Sequence, residues 1–364
     1  VRAVVLVGGE GTRLRPLTAT VPKQMLPVAE VAMIERVLAH LAAHGVESVV
    51  LSLGYRPDAF RSAFPDGTCA GVRLDYAIEP TPLDTAGAIR FAALEAGVDG
   101  TFLVVNGDVL TDLDVGALVA FHRESAAQAT ISLTPVDDPT GFGVVPTDAA
   151  GRVEAFIEKP PAASVGPHSA GPLSTNMVNA GYYVLEPAVL ERIPGGRRVN
   201  IERETFPAMA AEGVLYALGS PAYWHDTGTP ERFLQANADL LSGVRPGVPA
   251  PGAIELRPGV WVLGEVGEAG GVGPHSLLGT GVVVEPGATV ADSVLGAGCR
   301  VGPGAHVSGS VVLPGTRIGA RATVERSLLG RQVVVGADAK VVGLSVVGDG
   351  VTVESASSLD GARR

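Results

Sequence analysis

Short apolar runs alternate with helical periodicities through the first two-thirds of the chain. Residues 2–7, 48–53, 72–78 and 101–105 are compact runs of the kind that form buried strands, and residues 31–44, 57–64 and 85–96 repeat their apolar positions with a helical period. The first of these helices is expected to end near Gly45. This alternation predicts an α/β domain: a mixed, mostly parallel Rossmann-like sheet covered by helices on both faces. In such sheets ligands gather at the carboxyl ends of the strands. Beyond residue 129 the pattern is less regular. Strand-like segments at 130–135, 142–146, 153–157 and 180–185 read as additions forming the second wall of a cleft, and residues 162–174, rich in Pro, Ser, Gly and Ala, read as a mobile loop.

Periodicity changes again after residue 242. Prolines accumulate over 243–259, which marks a linker, and residues 260–364 become rich in Val, Gly and Ala. A period of 17 residues then sets in: Val284, Val301, Ile318 and Val335 form one series, Val290, Val307, Val324 and Val341 a second, Leu295, Val312, Leu329 and Val346 a third. One inward aliphatic per side of a three-sided coil needs this spacing, with Pro-Gly, Gly-Ala and Asp-Gly pairs at the corners. The last coil gains a residue, because Leu329-Gly330 is best matched by Val347-Gly348. A Val-rich sandwich would instead alternate with period two.

The richest chemistry follows the first strand. Val4-Val5-Leu6-Val7 empties into Gly8-Gly9-Glu10-Gly11-Thr12-Arg13-Leu14-Arg15-Pro16-Leu17-Thr18, and the chain continues to Val21-Pro22-Lys23-Gln24-Met25-Leu26-Pro27-Val28. Glycines admit positive φ and close approach of the backbone to a ligand, while Arg13 and Lys23 add fixed charge. Together they suit a phosphate. The stretch has neither the GK[ST] ending of a P-loop nor the third glycine of a dinucleotide fingerprint.

These residues resemble the signature of the sugar-1-phosphate nucleotidylyltransferases, the NDP-sugar pyrophosphorylases. Further blocks extend the resemblance over about the first 240 residues: Glu79-Pro80, Pro82 to Gly87, Asn106-Gly107-Asp108-Val109, Phe156 to Pro160, Asn179-Ala180-Gly181-Tyr182 and Tyr223 to Pro230. Within the family the chain is most similar to bacterial mannose-1-phosphate guanylyltransferases, and its C-terminal repeat resembles the hexapeptide-repeat left-handed β-helix that members often carry. The resemblance implies a catalytic domain over 1–242, the linker 243–259 and a β-helix over 260–364. It also implies transfer of a nucleoside monophosphate to a sugar 1-phosphate, foremost GTP with mannose 1-phosphate. The same chemistry with dTTP, UTP or ATP and glucose 1-phosphate or a cyclitol phosphate is the alternative, and a non-catalytic nucleotide-sugar-binding regulatory subunit is a second.

Such a transfer needs no general base, since the attacking phosphate oxygen is already anionic; it needs positioning and neutralisation of charge. By resemblance, Arg13 and Lys23 hold the triphosphate, and Asp108 and Asp226 hold Mg2+, an ion satisfied by one or two carboxylates plus phosphate oxygens and water. Arg15 is either an assistant or a surface arginine, and Asp112 and Asp114 are expected to cap the following helix. Leu6, Gly8, Gly9, Gly11, Thr12 and Arg13 on one side, and Pro82, Asp84, Thr85 and Gly87 on the other, are implied for the nucleotide. Gly143, Glu158, Lys159 and Asn179 are implied for the sugar phosphate. Two positions depart from the family: Asp84 replaces a usual glycine, removing an easy positive-φ site, and Ala32 replaces a frequent proline.

Charge narrows the partners. A net charge of -11 argues against nucleic acid and makes any phosphate site a local basic pocket. No apolar run approaches the roughly 20 residues of a membrane helix. The chain opens directly on a core strand, so the expectation is a cytoplasmic protein without a membrane partner. Cys69 and Cys299 read as small buried hydrophobes, and His306 as a solvated side chain rather than an acyl-transfer base. An aliphatic prism with exposed ends predicts a homo-oligomer through the β-helix.

Overall fold

The computed structural model of the chain describes residues 1–161, 175–267 and 270–364. The loop expected at 162–174 lies outside the described residues. These residues pack into two compact units, one of 1–9 and 34–224, the other of 10–33 and 225–364.

The first unit is built on a ten-stranded mixed sheet. Its elements in chain order are β1 (Arg2–Leu6), α1 (Met33–Ala43), β2 (Ser48–Leu53), α2 (Pro57–Ala63), β3 (Thr68–Cys69), β4 (Val72–Ile78), α3 (Asp84–Glu95), β5 (Phe102–Asn106), α4 (Val115–Glu124), β6 (Ala129–Pro135), β7 (Gly143–Val144), β8 (Ile157–Glu158), β9 (Met177–Leu185), α5 (Ala188–Arg192), α6 (Phe206–Ala211) and β10 (Leu215–Gly219). The order is β8-β7-β9-β5-β1-β2-β4-β3, with β6 paired to β9 and β10. Strands β5, β1, β2 and β4 are mutually parallel, and β9 closes against β5 antiparallel. Residues 31–32 join a short hairpin with 27–28, so the first helix begins at Met33. Residues 152 and 153 make isolated bridges, and the ordered strand of that region is β8.

Apolar runs become central strands because both faces are covered: Ala3, Val4 and Val5, Val49 to Leu51 and Phe102 to Val105 are all buried. Helix α3 lies against β1, β2 and β4 with a face of Ala86, Gly87, Ala88, Ile89, Ala92 and Ala93. Small side chains let its backbone come close to the sheet. Strand β1 has β2 on one side and β5 on the other, so the strand order reverses beside it. Leu6 pairs with Asn106 at that point, which is where a doubly wound sheet binds ligands.

The second unit contains the loop of 10–33, helix α7 (Pro230–Ser242) and the C-terminal repeat. Pro230 at the first turn, Thr229 as N-cap and Gly243 in the left-handed region as C-cap bound the helix. Beyond it Ile254–Arg257, inside the expected linker, pairs antiparallel with Val260–Val262, and from Val260 onward the strands stack in three parallel sheets, as in a left-handed β-helix. Val284, Val301, Ile318 and Val335 are stacked in one sheet, Val290, Val307, Val324 and Val341 in another, Leu295, Val312 and Leu329 in the third, and all are buried. Leu329 pairs with Val347, and the preceding corner, with Gly343 and Leu344 both at positive φ, holds the extra residue. His306 is exposed on an outer face beside Thr289 and Glu325.

Candidate active site

The loop after β1 is shaped by its own sequence. Gly8 is favoured by close approach: a Cβ there would lie 3.2 Å from both Glu79 Oε1 and the Gly54 nitrogen, a tight contact. Gly11 is required by conformation, with φ +62°, and a Cβ would stand 2.9 Å from Lys23 Cβ. Gly9 has neither constraint.

In the second unit, Gly11 opens a 3₁₀ turn over Thr12–Leu14 whose Leu14 is buried, leaving Thr12 and Arg13 exposed. Thr18 Oγ1 donates to the Gly11 carbonyl at 2.8 Å and closes the loop. After a 3₁₀ turn at Leu17–Ala19, a third, Lys23–Met25, follows Pro22 and presents a half-buried Lys23. Arg13 lies close to Gly228, where a Cβ would sit 2.6 Å from Arg13 Nη2 and 2.8 Å from Asp226 Oδ1. Asp226 Oδ1 accepts from the Gly228 nitrogen at 2.6 Å, and Oδ2 pairs with Arg232 Nη1 at 2.7 Å. Arg13, Lys23 and Asp226 are thus carried by one unit. Arg15 forms an exposed pair with Glu10 at 2.8 Å, worth little energetically.

The loop is also tied to distant residues of its own unit. Thr20 Oγ1 donates to Asp349 Oδ2 at 2.8 Å, the Ala29 nitrogen donates to Asn237 Oδ1 at 2.7 Å, and the Glu30 carboxylate accepts from the Ala297 nitrogen at 3.2 Å. Burial pushes the Glu30 carboxyl up despite that bond and the charge of Arg331.

In the first unit, Asp108 is half-buried just beyond β5, and the adjacent Gly107 nitrogen donates to the Leu6 carbonyl at 3.0 Å. Asp114 caps α4 by accepting from the Ala117 nitrogen at 2.9 Å. Glu79, quoted above without a role, is a brace: its carboxylate accepts from the Leu83 nitrogen at 2.9 Å and from Ser52 Oγ at 3.3 Å. Asp84 itself adopts the positive φ expected of the missing glycine, at +61°. Aspartate tolerates this conformation better than most residues. Its Oδ1 accepts from the Thr85 nitrogen at 2.8 Å and from Asn200 Nδ2 at 3.1 Å. The Val199 carbonyl accepts from the nitrogens of Ala86 and Gly87. The first donors of α3 are therefore occupied by protein.

The residues expected at the sugar come together in the same unit. Gly143 pairs with Glu158 across β7 and β8, and a Cβ at Gly143 would be 2.8 Å from the Phe156 ring and 3.1 Å from Glu158 Oε2. Lys159 Nζ pairs with Glu158 Oε1 at 3.0 Å; the lysine is 58% exposed and the glutamate 15%. Lys159 has φ +49°. Asn179 Nδ2 donates to Tyr183 Oη at 2.9 Å and to Glu202 Oε1 at 3.1 Å, while its Oδ1 accepts from the Gly181 nitrogen at 3.0 Å.

Glu202 was missed by sequence reasoning. It lies on a π-helical turn, Ile201–Thr205, capped by Asn200. Burial, then the charge of Glu158, raises its carboxyl to about 7. The only local signal was Asn200 followed by acidic residues, an ordinary helix start. Cys69 and Cys299 are free thiols raised by burial to about 11 and about 12, the opposite of an activated cysteine. Among the described residues no group of three or more His, Cys, Asp or Glu side chains is placed to hold a metal ion by itself. No described helix is long and apolar enough to cross a membrane.

Comparison with known proteins bears on these features. The nucleotidyl transferase family matches residues 2–243, and the GMPPB C-terminal domain matches residues 272–363. The chain is 41% identical to mannose-1-phosphate guanylyltransferase of Mycobacterium tuberculosis, over 78% of this chain and 79% of the relative. It is 38% identical to probable mannose-1-phosphate guanylyltransferase 2 of Arabidopsis thaliana, over 77% and 76% respectively. Among solved structures, HddC from Yersinia pseudotuberculosis aligns with TM-score 0.55 and 28% identity, over 65% of this chain and 97% of that one; it has also been solved complexed with GMP-PN. The matched family spans the first unit from residue 2 onward and the loop that carries Arg13 and Lys23, so the chain belongs to the nucleotidyl transferase family.

Proposed function

We propose that the protein transfers GMP from GTP to mannose 1-phosphate, giving GDP-mannose and pyrophosphate. The observation that carries this reading is the 41% identity to a mannose-1-phosphate guanylyltransferase across most of both chains, in a chain that has Arg13, Lys23, Asp108 and Asp226. An oxygen of the sugar phosphate attacks the α-phosphorus of the triphosphate. One P–O bond forms to the sugar phosphate, and the α–β bridging P–O bond breaks to release pyrophosphate.

Arg13, exposed at the tip of the 3₁₀ turn, takes the β- and γ-phosphates; Lys23 takes the α-phosphate and the departing oxygen. Fixed cations in place before reaction avoid reorganisation when charge shifts. Gly8, Gly9, Gly11 and Thr12 offer backbone to the nucleotide, with Leu6, Pro82, Asp84, Thr85 and Gly87 around the base and ribose. Gly143, Glu158 and Asn179 address the sugar and Lys159 its phosphate.

Asp108 and Asp226 are the carboxylates proposed for magnesium. Each oxygen of Asp226 already accepts one hydrogen bond and keeps a further lone pair. Magnesium is satisfied by one or two carboxylates and completes its shell with phosphate oxygens and water. When bound, magnesium neutralises phosphate charge.

We further propose cytoplasmic location and homo-oligomerisation through the β-helix. The strand Ile254–Arg257 supports the latter: it is the edge of its sheet, with Ile254 and Leu256 exposed. Light scattering at working concentration checks it; a monomeric mass rejects it.

The test of function is a matrix of nucleoside triphosphates against sugar and cyclitol 1-phosphates, with magnesium and pyrophosphate detection. GTP with mannose 1-phosphate should give the highest kcat/KM. A higher value for dTTP, UTP or ATP with another phosphate would replace the substrate assignment, and no release from any pair would leave a regulatory nucleotide-sugar binder.

A further inference from the structure

We propose that Glu202 is a positioning residue for the sugar half of the site: its carboxyl sets the orientation of the Asn179 amide, and a line of hydrogen bonds ties that amide to Asp84 at the nucleotide side. The role in turnover rests on the functional reading above; the geometry does not.

A primary amide can rotate by half a turn and exchange its donors for its acceptor. At Asn179 three contacts decide the matter: Nδ2 toward Tyr183 and Glu202, Oδ1 toward the Gly181 nitrogen. Tyr183 hydroxyl, as donor or acceptor, would accept either orientation. The Glu202 carboxylate, an acceptor only, and the Gly181 nitrogen, a donor only, would not, and of these only Glu202 is a side chain that substitution can remove. Asn179 is 9% exposed, so a flipped amide would leave buried polar groups unpaired.

Glu202 is held in turn from its backbone. Asn200 Oδ1 accepts from the nitrogens of Glu202 and Arg203, both at 3.0 Å, and Asn200 Nδ2 donates to Asp84 Oδ1. The Ile201 nitrogen donates to Thr85 Oγ1 at 2.9 Å. The path Asp84, Asn200, Glu202, Asn179 is therefore continuous, and it begins at the residue that departs from the family's glycine. Glycine at 84 would have no side chain to begin it.

The charged surroundings are mixed. Glu158 and Asp84 repel the Glu202 carboxylate, Lys159 and Arg203 attract it, and the buried Tyr183 phenol faces it. A carboxyl buried against another carboxylate is unfavourable for folding, and with a value of about 7 it changes charge in the working range of an enzyme.

The experiment uses the full chain with Glu202→Ala and Glu202→Gln. For Glu202→Ala, KM for mannose 1-phosphate should rise about tenfold while KM for GTP stays within about twofold. Glu202→Gln retains an acceptor for Asn179 and should return the sugar-phosphate KM to within about threefold of the parent, without its dependence on pH around 7. A structural role alone would move both KM values with the melting temperature, and that result, or an unchanged sugar-phosphate KM, overturns the proposal. The second readout needs no activity. The side-chain amide resonance of Asn179 should titrate with a midpoint near 7 in the parent and not in Glu202→Gln. A flat resonance in the parent overturns the link between the two residues, whereas absence of pyrophosphate release with a titrating resonance overturns only the functional reading.

Discussion

The two compact units hold their functional groups by different means. In the second, cations come from one short stretch: Arg13 and Lys23 sit on the first and third of three 3₁₀ turns, which Gly11, Thr18 and Pro22 shape locally. In the first, Glu158, Asn179 and Glu202 come from a short edge strand, a central strand and a π-turn. The cation loop carries its geometry in contiguous residues, so motif and structure nearly coincide. The carboxyl and amide cluster exists only once the sheet and the 197–205 segment have packed. On the function proposed above, chemistry that must bind the same phosphates is written locally, whereas a pocket for hydroxyl groups is assembled from afar.

The harshest way to break this comparison is Lys23→Ala. If the loop acts by placing fixed charge, kcat should fall by about 10²–10³, with the melting temperature held within about 3 °C because no core side chain is lost. Stopped-assay kinetics with thermal melts check both. A loss confined to KM would make the lysine an anchor rather than a participant in charge neutralisation.

The same contrast explains what the sequence disclosed. The 17-residue period was readable because every coil buries the same three positions against its neighbours, and even the extra residue before Val347 leaves a mark in the spacing. Gly11 and Lys23 were readable because positive φ and a placed cation each demand a residue type. Asp84 misled: the glycine-like conformation persists, supported by bonds to Thr85 and Asn200 that no local pattern announces. Glu202 stands 23 residues from the Asn179 it orients, on a turn whose sequence is that of any helix start. Nor did the hydrophobic pattern show that residues 10–33 pack as one unit with residues 225–364, since polar contacts such as those of Thr20, Ala29 and Glu30 leave no mark in it.

On the carboxyl side, pH sharpens the comparison. Burial, then the charge of Glu158, raises the Glu202 carboxyl of the folded chain to about 7 from its ordinary value of 4.5. As pH rises from about 4.5, the unfolded chain loses this proton first while the native state still holds it. Stability contributed by the protonated group is complete below the unfolded value and is lost as pH passes the folded one. The full loss is on the order of 3 kcal/mol. Melting temperatures between pH 5 and 8 should therefore fall more steeply in the parent than in Glu202→Gln, and parallel curves would remove Glu202 as the source.

Gly11→Ala probes the self-sufficiency of the cation loop. The new Cβ meets Lys23 Cβ at 2.9 Å on a backbone with φ +62°, costing about 1–2 kcal/mol. Because the strain falls on the turn that carries Arg13 and presses on the Lys23 side chain, kcat should drop about tenfold. Equal activity would mean that the loop adapts on binding.

The smallest expected effect is the most discriminating. Thr20→Val removes the donor to Asp349 Oδ2, an exposed bond worth at most about 1 kcal/mol. Asp349 keeps the Arg331 nitrogen on Oδ1 at 2.7 Å, so the β-helix corner itself should survive. A double-mutant cycle with Asp349→Ala then reads the coupling between loop and corner directly, in stability and in kcat. A coupling of about 0.5–1 kcal/mol in stability, with kcat altered less than about threefold, would mean that the corner steadies a loop already shaped by its own residues. A kcat change as large as that of Gly11→Ala would reverse the contrast: the cation loop would then depend on distant packing as much as the carboxyl cluster does, and the C-terminal repeat would be a working part of the phosphate site.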